Sequence, residues 1–194
     1  MSEEYALIID GGCSYHGQGG ALNHHYAELA RKTLEQMGWT VDVTRVEDNW
    51  DREVEAQKVM RARAVILQTP IWWMAPPWQV KRYMDEVFCV PGVNNGDGRT
   101  REAPDLNYGR GGRRTARYML SCTWNAPLNA FTAPDQFFEG KGIDSVLTPS
   151  HKTFQFLGMT PAETFMANDV IKNPTHEADF ARFTALVRKN FADL

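Results

Sequence analysis

The sequence predicts a three-layer α/β sandwich: a five-stranded parallel sheet of order 2-1-3-4-5 with helices on both faces. Short, continuously apolar runs at residues 5–9, 64–67 and 118–120 read as strands buried on two sides. Between them lie stretches whose apolar residues recur every three or four positions, the spacing of a helix with one buried face. Strands that alternate with helices imply parallel pairing through crossover helices. At 194 residues the chain fits one domain, 1-194, with a full hydrophobic core.

The elements follow in order. Tyr5-Ala6-Leu7-Ile8-Ile9 is a first strand that stops at Asp10-Gly11-Gly12. Leu22, Tyr26, Leu29, Ala30, Thr33, Leu34 and Met37 mark the first helix, and Gly38 caps its end. Trp39, Val41 and Val43 alternate with polar residues as a second strand nearer an edge. A short helix is expected over 53–63, a third strand over 64–69, and a helix over 78–88 started by Pro76-Pro77. Residues 90–113, rich in Gly, Asn, Pro and Arg, read as a long loop. A fourth strand spans 118–123, and irregular chain follows it. A helix over 149–157 ends at Gly158, and a fifth strand is expected over 164–167. Phe180, Phe183, Leu186, Val187 and Phe191 mark the last helix. Five β units in this arrangement give the flavodoxin-like order 2-1-3-4-5, whose crevice opens beside the ends of strands 1, 3 and 4.

Composition narrows the function. A net charge of −3 gives no general attraction to nucleic acid or anionic membrane. The Met1-Ser2-Glu3-Glu4 start lacks the basic and apolar regions of a signal peptide, and no apolar stretch is long enough to span a bilayer. Cys13, Cys89 and Cys122 are odd in number and lack CxxC or metal-ligand spacing, which points to free thiols and a cytoplasmic location.

The chemistry concentrates at the three strand ends. The first loop, residues 11–20, holds five glycines and opens onto a helix, a backbone arrangement suited to a diphosphate. It lacks the Gly-Lys-Ser/Thr of a Walker A loop and is not a complete GxGxxG. The third strand ends in Pro70-Ile71-Trp72-Trp73-Met74, an aromatic, proline-stiffened lip suited to a flat ligand. If strand alternation continues there, Trp72 and Trp73 point apart, one toward a ligand and the other toward the core. The fourth strand exits through Thr123-Trp124-Asn125-Ala126-Pro127, offering a hydroxyl, an amide and a further aromatic surface. Arg99, Arg101, Arg110, Arg113, Arg114 and Arg117 form a local basic stretch, read either as a grip on nucleotide phosphates or as a solvated loop. The histidines form no metal site: His24 and His25 are adjacent, and HExxH is absent. His16 lies in the glycine loop, and His151 reaches the chemistry only if the fold brings it to the crevice.

Taken together, Gln-x-Pro-x-Trp-Trp-Met-x-x-Pro-Trp (68–78), Asp97-Gly98-Arg99-Thr100-Arg101, Tyr108-Gly-x-Gly-Gly112 and Thr123-Trp-Asn-Ala-Pro-x-x-Ala-Phe131 resemble the modulator of drug activity B proteins. Those are bacterial NADPH:quinone reductases of the flavodoxin-like superfamily. The likeness continues through Asp135-Gln136-Phe137-Phe138, His151-Lys152 and Ala167-Asn168-Asp169-Val170-Ile171-Lys172, nearly the whole chain. It implies a homodimer that binds FAD and reduces quinones with NADPH by ping-pong hydride transfer. It sets Pro70, Ile71, Trp72, Trp73 and Met74 against the isoalloxazine ring, with Thr123, Trp124, Asn125 and Ala126 along its other edge. Gln18, Gly19, Gly20, Leu22, Asn23 and His25 would hold the diphosphate and adenine half, and Tyr108 would reach FAD from the long loop, across the dimer interface. Asn125 and the backbone around Trp73 are the candidate catalytic groups, as donors to negative charge on the reduced ring. The loop departs from the family's shorter Ser-x-Gly-x-Leu-Asn segment, with Gln18-Gly19-Gly20-Ala21-Leu22-Asn23 in its place. The Tyr/His proton relay of human-type quinone reductases has no counterpart in 123–131. Three other readings stay open: an FMN-dependent azo- or nitroreductase, a NAD-binding Rossmann protein using Glu47-Asp48, and a non-enzymatic redox-sensing module.

Overall fold

In the computed structural model, which describes residues 4–15, 17 and 19–194, one sheet organises the chain. β1 (Tyr5–Asp10) is flanked by β2 (Thr40–Arg45) and β3 (Ala64–Pro70), and β4 (Arg117–Thr123) lies beyond β3. All of these pair in parallel, as the alternation of strand and helix predicts. The outermost strand comes in two pieces, β5 (Thr160–Pro161) and β6 (Phe165–Ala167), both paired with β4.

The break in that strand has a register cause. Tyr118 pairs with Pro161, whereas Ser121 pairs with Phe165, so the outer strand carries one extra residue between the two ladders. A single insertion of this kind is a bulge, and it falls at a sheet edge where bulges are common. The sequence pattern over 164–167 locates β6 but not β5. Two short helices, α4 (Asn129–Thr132) and α5 (Gly142–Val146), occupy the stretch read as irregular; neither is long enough to show a period. The remaining helices are α1 (Ala21–Gln36), α2 (Arg52–Arg61), α3 (Trp78–Val87), α6 (Thr148–Phe156) and α7 (His176–Phe191). α7 starts a turn before its first apolar marker, because its first turn, from His176 to Asp179, is mostly polar.

Strand parity sorts the core into two layers. Tyr5, Leu7, Ile9, Val65, Leu67, Tyr118 and Leu120 pack beneath α2, α3 and α6. Ala6, Ile8, Ala64, Ile66 and Met119 pack beneath α1 and α7, against Tyr26, Leu34, Phe183 and Phe191. Each fully buried Leu, Ile or Phe contributes about 1.5–3 kcal/mol. At the carboxyl ends of the strands the α1 layer turns polar: Asp10, Gln68, Ser121 and Thr123 continue the same parity and are all buried.

Candidate functional site

A cleft of about 390 Å³ opens between the loops that leave β1, β3 and β4. The chain crosses to β2 on one side of β1 and to β3 on the other, so this is the point of reversal where open α/β sheets bind ligands. Cys13, Gly19 and Gly20 wall it from the first loop, and Leu22 and Asn23 from α1. Pro70, Ile71 and Trp72 come from the loop after β3, and Thr123 and Asn125 from that after β4. Val170, Ile171 and His176 close the remaining side.

The first loop meets α1 at Gly20, whose φ of 68° is left-handed. A Cβ there would stand 2.7 Å from the Cys13 nitrogen, so only glycine fits. Among the described residues no side chain caps this helix, which leaves its positive N-terminal end open to an anion. No lysine or arginine is among the described residues lining the cleft. The Ser14 amide is already taken by the Glu47 carboxylate, at 3.0 Å to each oxygen. Burial, reinforced by Glu47 and Asp10, pushes the Cys13 thiol up to about 12. That thiol stays protonated at neutral pH and donates to the Gly11 carbonyl at 3.2 Å, forming wall rather than nucleophile.

The loop after β3 is a tight turn. Trp72 and Ala75 exchange backbone hydrogen bonds of 2.9 and 3.2 Å, with φ of 51° at Trp73 and 65° at Met74. Two left-handed central residues make this a type I′ turn, a geometry that ordinarily selects Asn-Gly. Each bulky residue held there costs about 1–3 kcal/mol of strain, a cost that tends to persist at functional sites. The Trp73 and Met74 amides have no acceptor among the described residues. The two indoles part because of this turn, not by strand alternation. Trp72 is half-buried, packs on the core and lies 5.0 Å from the Tyr15 ring. Trp73 is 93% exposed. Beside the cleft, Trp73, Trp78, Pro76, Pro77 and Tyr15 build an aromatic shelf around a hollow of about 840 Å³, and Trp72 and Asn125 line both spaces.

After β4, Thr123 is buried and receives the Asn23 amide at 3.1 Å. The Asn125 side-chain Oδ1 accepts the Ile171 amide at 3.3 Å, while Nδ2 has no partner among the described residues. Trp124 does not line the cleft: its ring packs on Phe131 and Phe138, at 5.0 and 5.5 Å. Ala126 acts through its carbonyl, which accepts the Asp169 amide at 3.0 Å and fixes the far wall.

Other expected residues stand outside the cleft. Met74 sits on the turn, and the His25 ring packs at a tilt on Phe180, 4.4 Å away, on the α1–α7 surface. Tyr108 lines a separate groove of about 700 Å³ between α3 and α6, with its ring 5.8 Å from Phe156. The arginine stretch does not reach the cleft of its own chain. Arg99 pairs with Asp97, whose carboxyl it holds below the usual aspartate range. Arg114 donates to the Met60 carbonyl, and Arg117 to the Asn190 carbonyl and Asp193. His151 bonds the Tyr118 hydroxyl at 2.8 Å, at the opposite end of β4 from Thr123, so the fold does not bring it to the crevice. His24 is 2.6 Å from the buried Asp10 carboxylate. Gln18 and His16 lie outside the described residues.

Four cleft residues escaped sequence reasoning, and of these Val170 and Ile171 stood only within the family-like run 167–172. Cys13 sits inside the glycine loop that pointed to the site, but its side chain carried no separate signal. His176 opens α7 and packs on Phe180 at 6.0 Å, with a buried Nδ1 that has no partner among the described residues. Only the long-range packing of α7 on α1 brings it there.

The flavodoxin-like fold family matches residues 5–190. A Schizosaccharomyces pombe protein known as uncharacterized protein C5H10.05c is 46% identical over 171 residues, 87% of each chain. NADPH:quinone oxidoreductase MdaB of Haemophilus influenzae is 41% identical over 188 residues, 95% of this chain and 98% of that protein. Among solved structures, general stress protein 14 of Treponema denticola, in complex with FMN, superposes with a TM-score of 0.60 at 16% identity. That match covers 98% of this chain and 96% of the other.

Proposed function

The chain belongs to the flavodoxin-like fold family and is an oxidoreductase within it, and from that premise we propose an FAD-dependent NADPH:quinone oxidoreductase that reduces quinones by two electrons. The observation that carries this reading is the composition of the cleft. One end offers a helix N-terminus behind an obligatory glycine; the other offers an apolar face with donors at its rim that have no acceptor among the described residues. These residues fit a dinucleotide flavin. When bound, the flavin supplies the hydride chemistry that links a nicotinamide to a quinone.

The protein's own residues bind, orient and donate. Gly19, Gly20, Leu22 and Asn23, together with Gln18, are assigned to the diphosphate, held by backbone N–H groups and the α1 dipole. His25 and His176, both packed on Phe180, are assigned to the adenine half of FAD. Pro70, Ile71 and Trp72 would face the ring, and Thr123 would border it. The Trp73 and Met74 amides and the Asn125 side-chain nitrogen, which have no acceptor among the described residues, would serve as donors to negative charge on the ring. Trp124 and Ala126 support that edge from behind. The aromatic shelf receives nicotinamide and quinone in turn, which predicts parallel double-reciprocal lines for the two substrates. Tyr108, remote from its own cleft, is assigned to the flavin of a partner chain in a homodimer. Three free thiols suit a reducing compartment, the cytoplasm.

The test begins with colour. Purified protein should be yellow, release FAD on denaturation as resolved by chromatography, and oxidise NADPH with menadione. Release of FMN in its place would favour the azo- or nitroreductase reading, which the FMN complex of the Treponema denticola protein supports. A colourless protein that neither binds added flavin nor oxidises NADPH with menadione overturns both.

A further inference from the structure

Beneath the cleft floor, Ser121, Gln68, Asn23 and Thr123 form one hydrogen-bonded chain, and we propose that Gln68 sets its direction so that the Thr123 hydroxyl serves as a donor to the ligand. The inference deepens the flavin reading and rests on it. Parity explains how the chain assembles. Gln68 on β3 and Ser121 on β4 are register partners and face α1, where Asn23 projects back toward them. Gln68 and Ser121 are fully buried, and Asn23 and Thr123 nearly so, yet the last two still line the cleft.

The distances give the chain a direction. Two amides in series can be satisfied either way round, because each presents one acceptor end and one donor end. Ser121 Oγ lies 2.5 Å from Gln68 Oε1, a separation suited to O–H···O and short for N–H···O. The Gln68 oxygen therefore faces Ser121, and its nitrogen donates to Asn23 Oδ1 at 2.8 Å. With its oxygen so engaged, Asn23 turns Nδ2 to Thr123 Oγ1 at 3.1 Å. The Thr123 hydroxyl also approaches Asn23 Oδ1, but at 3.2 Å and on an oxygen already receiving Gln68. Once its oxygen accepts from Asn23, Thr123 has a proton to give to the cleft. The group that takes it is an acceptor: a carbonyl oxygen or an unprotonated nitrogen of the oxidised flavin ring. Gln68 touches no ligand, so it is a positioning residue.

Substitutions at Gln68 separate direction from packing. Gln68→Glu keeps the shape, but an ionised carboxylate cannot donate to Asn23. It would accept from Asn23 Nδ2, turn that amide over, and draw the Thr123 proton inward. Below its own pKa, raised by burial, the carboxylic acid regains a donor and restores the original direction. FAD binding to the flavin-stripped protein is followed by fluorescence quenching from about pH 5.5 to 8.5, a range that spans the titration of a buried glutamate. Gln68→Glu should bind about tenfold more weakly at the alkaline end, the loss of one well-placed hydrogen bond, and return toward wild type at the acid end. Gln68→Met, of similar volume and uncharged, should lose a comparable amount at every pH. Wild-type affinity at all pH values in Gln68→Glu, or an equal loss in both variants without acid recovery, overturns the proposal. Should Gln68→Glu fail to fold, Thr123→Ser against Thr123→Val decides: retention by serine and loss by valine supports the donor, and equal binding defeats it. Failure of the wild type to bind flavin is a different outcome, which removes the flavin reading itself.

Discussion

Trp72 and Trp73 are adjacent, yet the structure gives them separate work. Trp72 packs on the core and lines the cleft, while Trp73 is 93% exposed and lines only the shelf. Trp72→Ala should therefore lower FAD affinity at least tenfold and cost about 2–3 kcal/mol of stability, as for a half-buried aromatic. Trp73→Ala should change stability by less than about 0.5 kcal/mol, leave flavin content unchanged and raise KM for the quinone. Loss of flavin from the Trp73 variant, with retention by the Trp72 variant, would reverse the assignment. The sequence marked both residues because aromatic side chains after a strand-ending proline are unusual. It could not separate them, since the distinction depends on a backbone turn whose residue types give no warning of it. Trp124 shows the same limit: it lies within the right motif, but its ring is taken by Phe131 and Phe138.

Among the elements, the Trp72–Ala75 turn is the most revealing, because it violates local preference. Asn-Gly is expected at its centre, and Trp-Met stands there instead. Met74→Gly should raise the free energy of unfolding by about 1 kcal/mol, the left-handed penalty of a side chain less the entropic cost of glycine. Chemical denaturation measures this, and a loss of stability would show that the turn is unstrained. The α5–α6 corner provides a pH-dependent contrast. The hydrogen bond from His151 holds the Asp144 carboxyl below its ordinary value, and the pair meets at 3.2 Å. A depressed carboxylate stabilises the fold above its unfolded pKa, and that contribution disappears as pH falls through the folded value. Asp144→Asn should cost about 0.5 kcal/mol or less near neutral pH, since the carboxylate is largely exposed. The difference from wild type should shrink below about pH 4, the ordinary aspartate range. A gap that widens with acid would contradict that sign. Elements with a long period or a continuous apolar run, such as α1, β1 and β3, were legible. The short α4 and α5 and the bulge between β5 and β6 were not, because a few residues carry no measurable period.

For the whole molecule, two grooves on different faces raise the question of assembly. The cleft at the strand ends lacks Tyr108, which stands over the groove between α3 and α6. If Tyr108 serves a partner's flavin, the protein should sediment at twice the 22.0 kDa chain mass. A Tyr108→Ala chain mixed with a Trp72→Ala chain should then regain one complete flavin site per heterodimer. A monomer in sedimentation, or no recovery on mixing, would defeat the shared site. The layered fold and the strand order followed from residue order, because burial on two faces and helical period are local signals, and that order sets the ends of β1, β3 and β4 beside one cleft. Tertiary structure alone decided the rest. It brought His176 on α7 into the cleft and left Tyr108 and His151 outside it. It also joined Asn23, Gln68, Ser121 and Thr123, 100 positions apart at the extremes, into one buried chain. These juxtapositions arise from packing α1 and α7 across a twisted sheet, and no spacing along the chain encodes which side chains that packing will bring into contact.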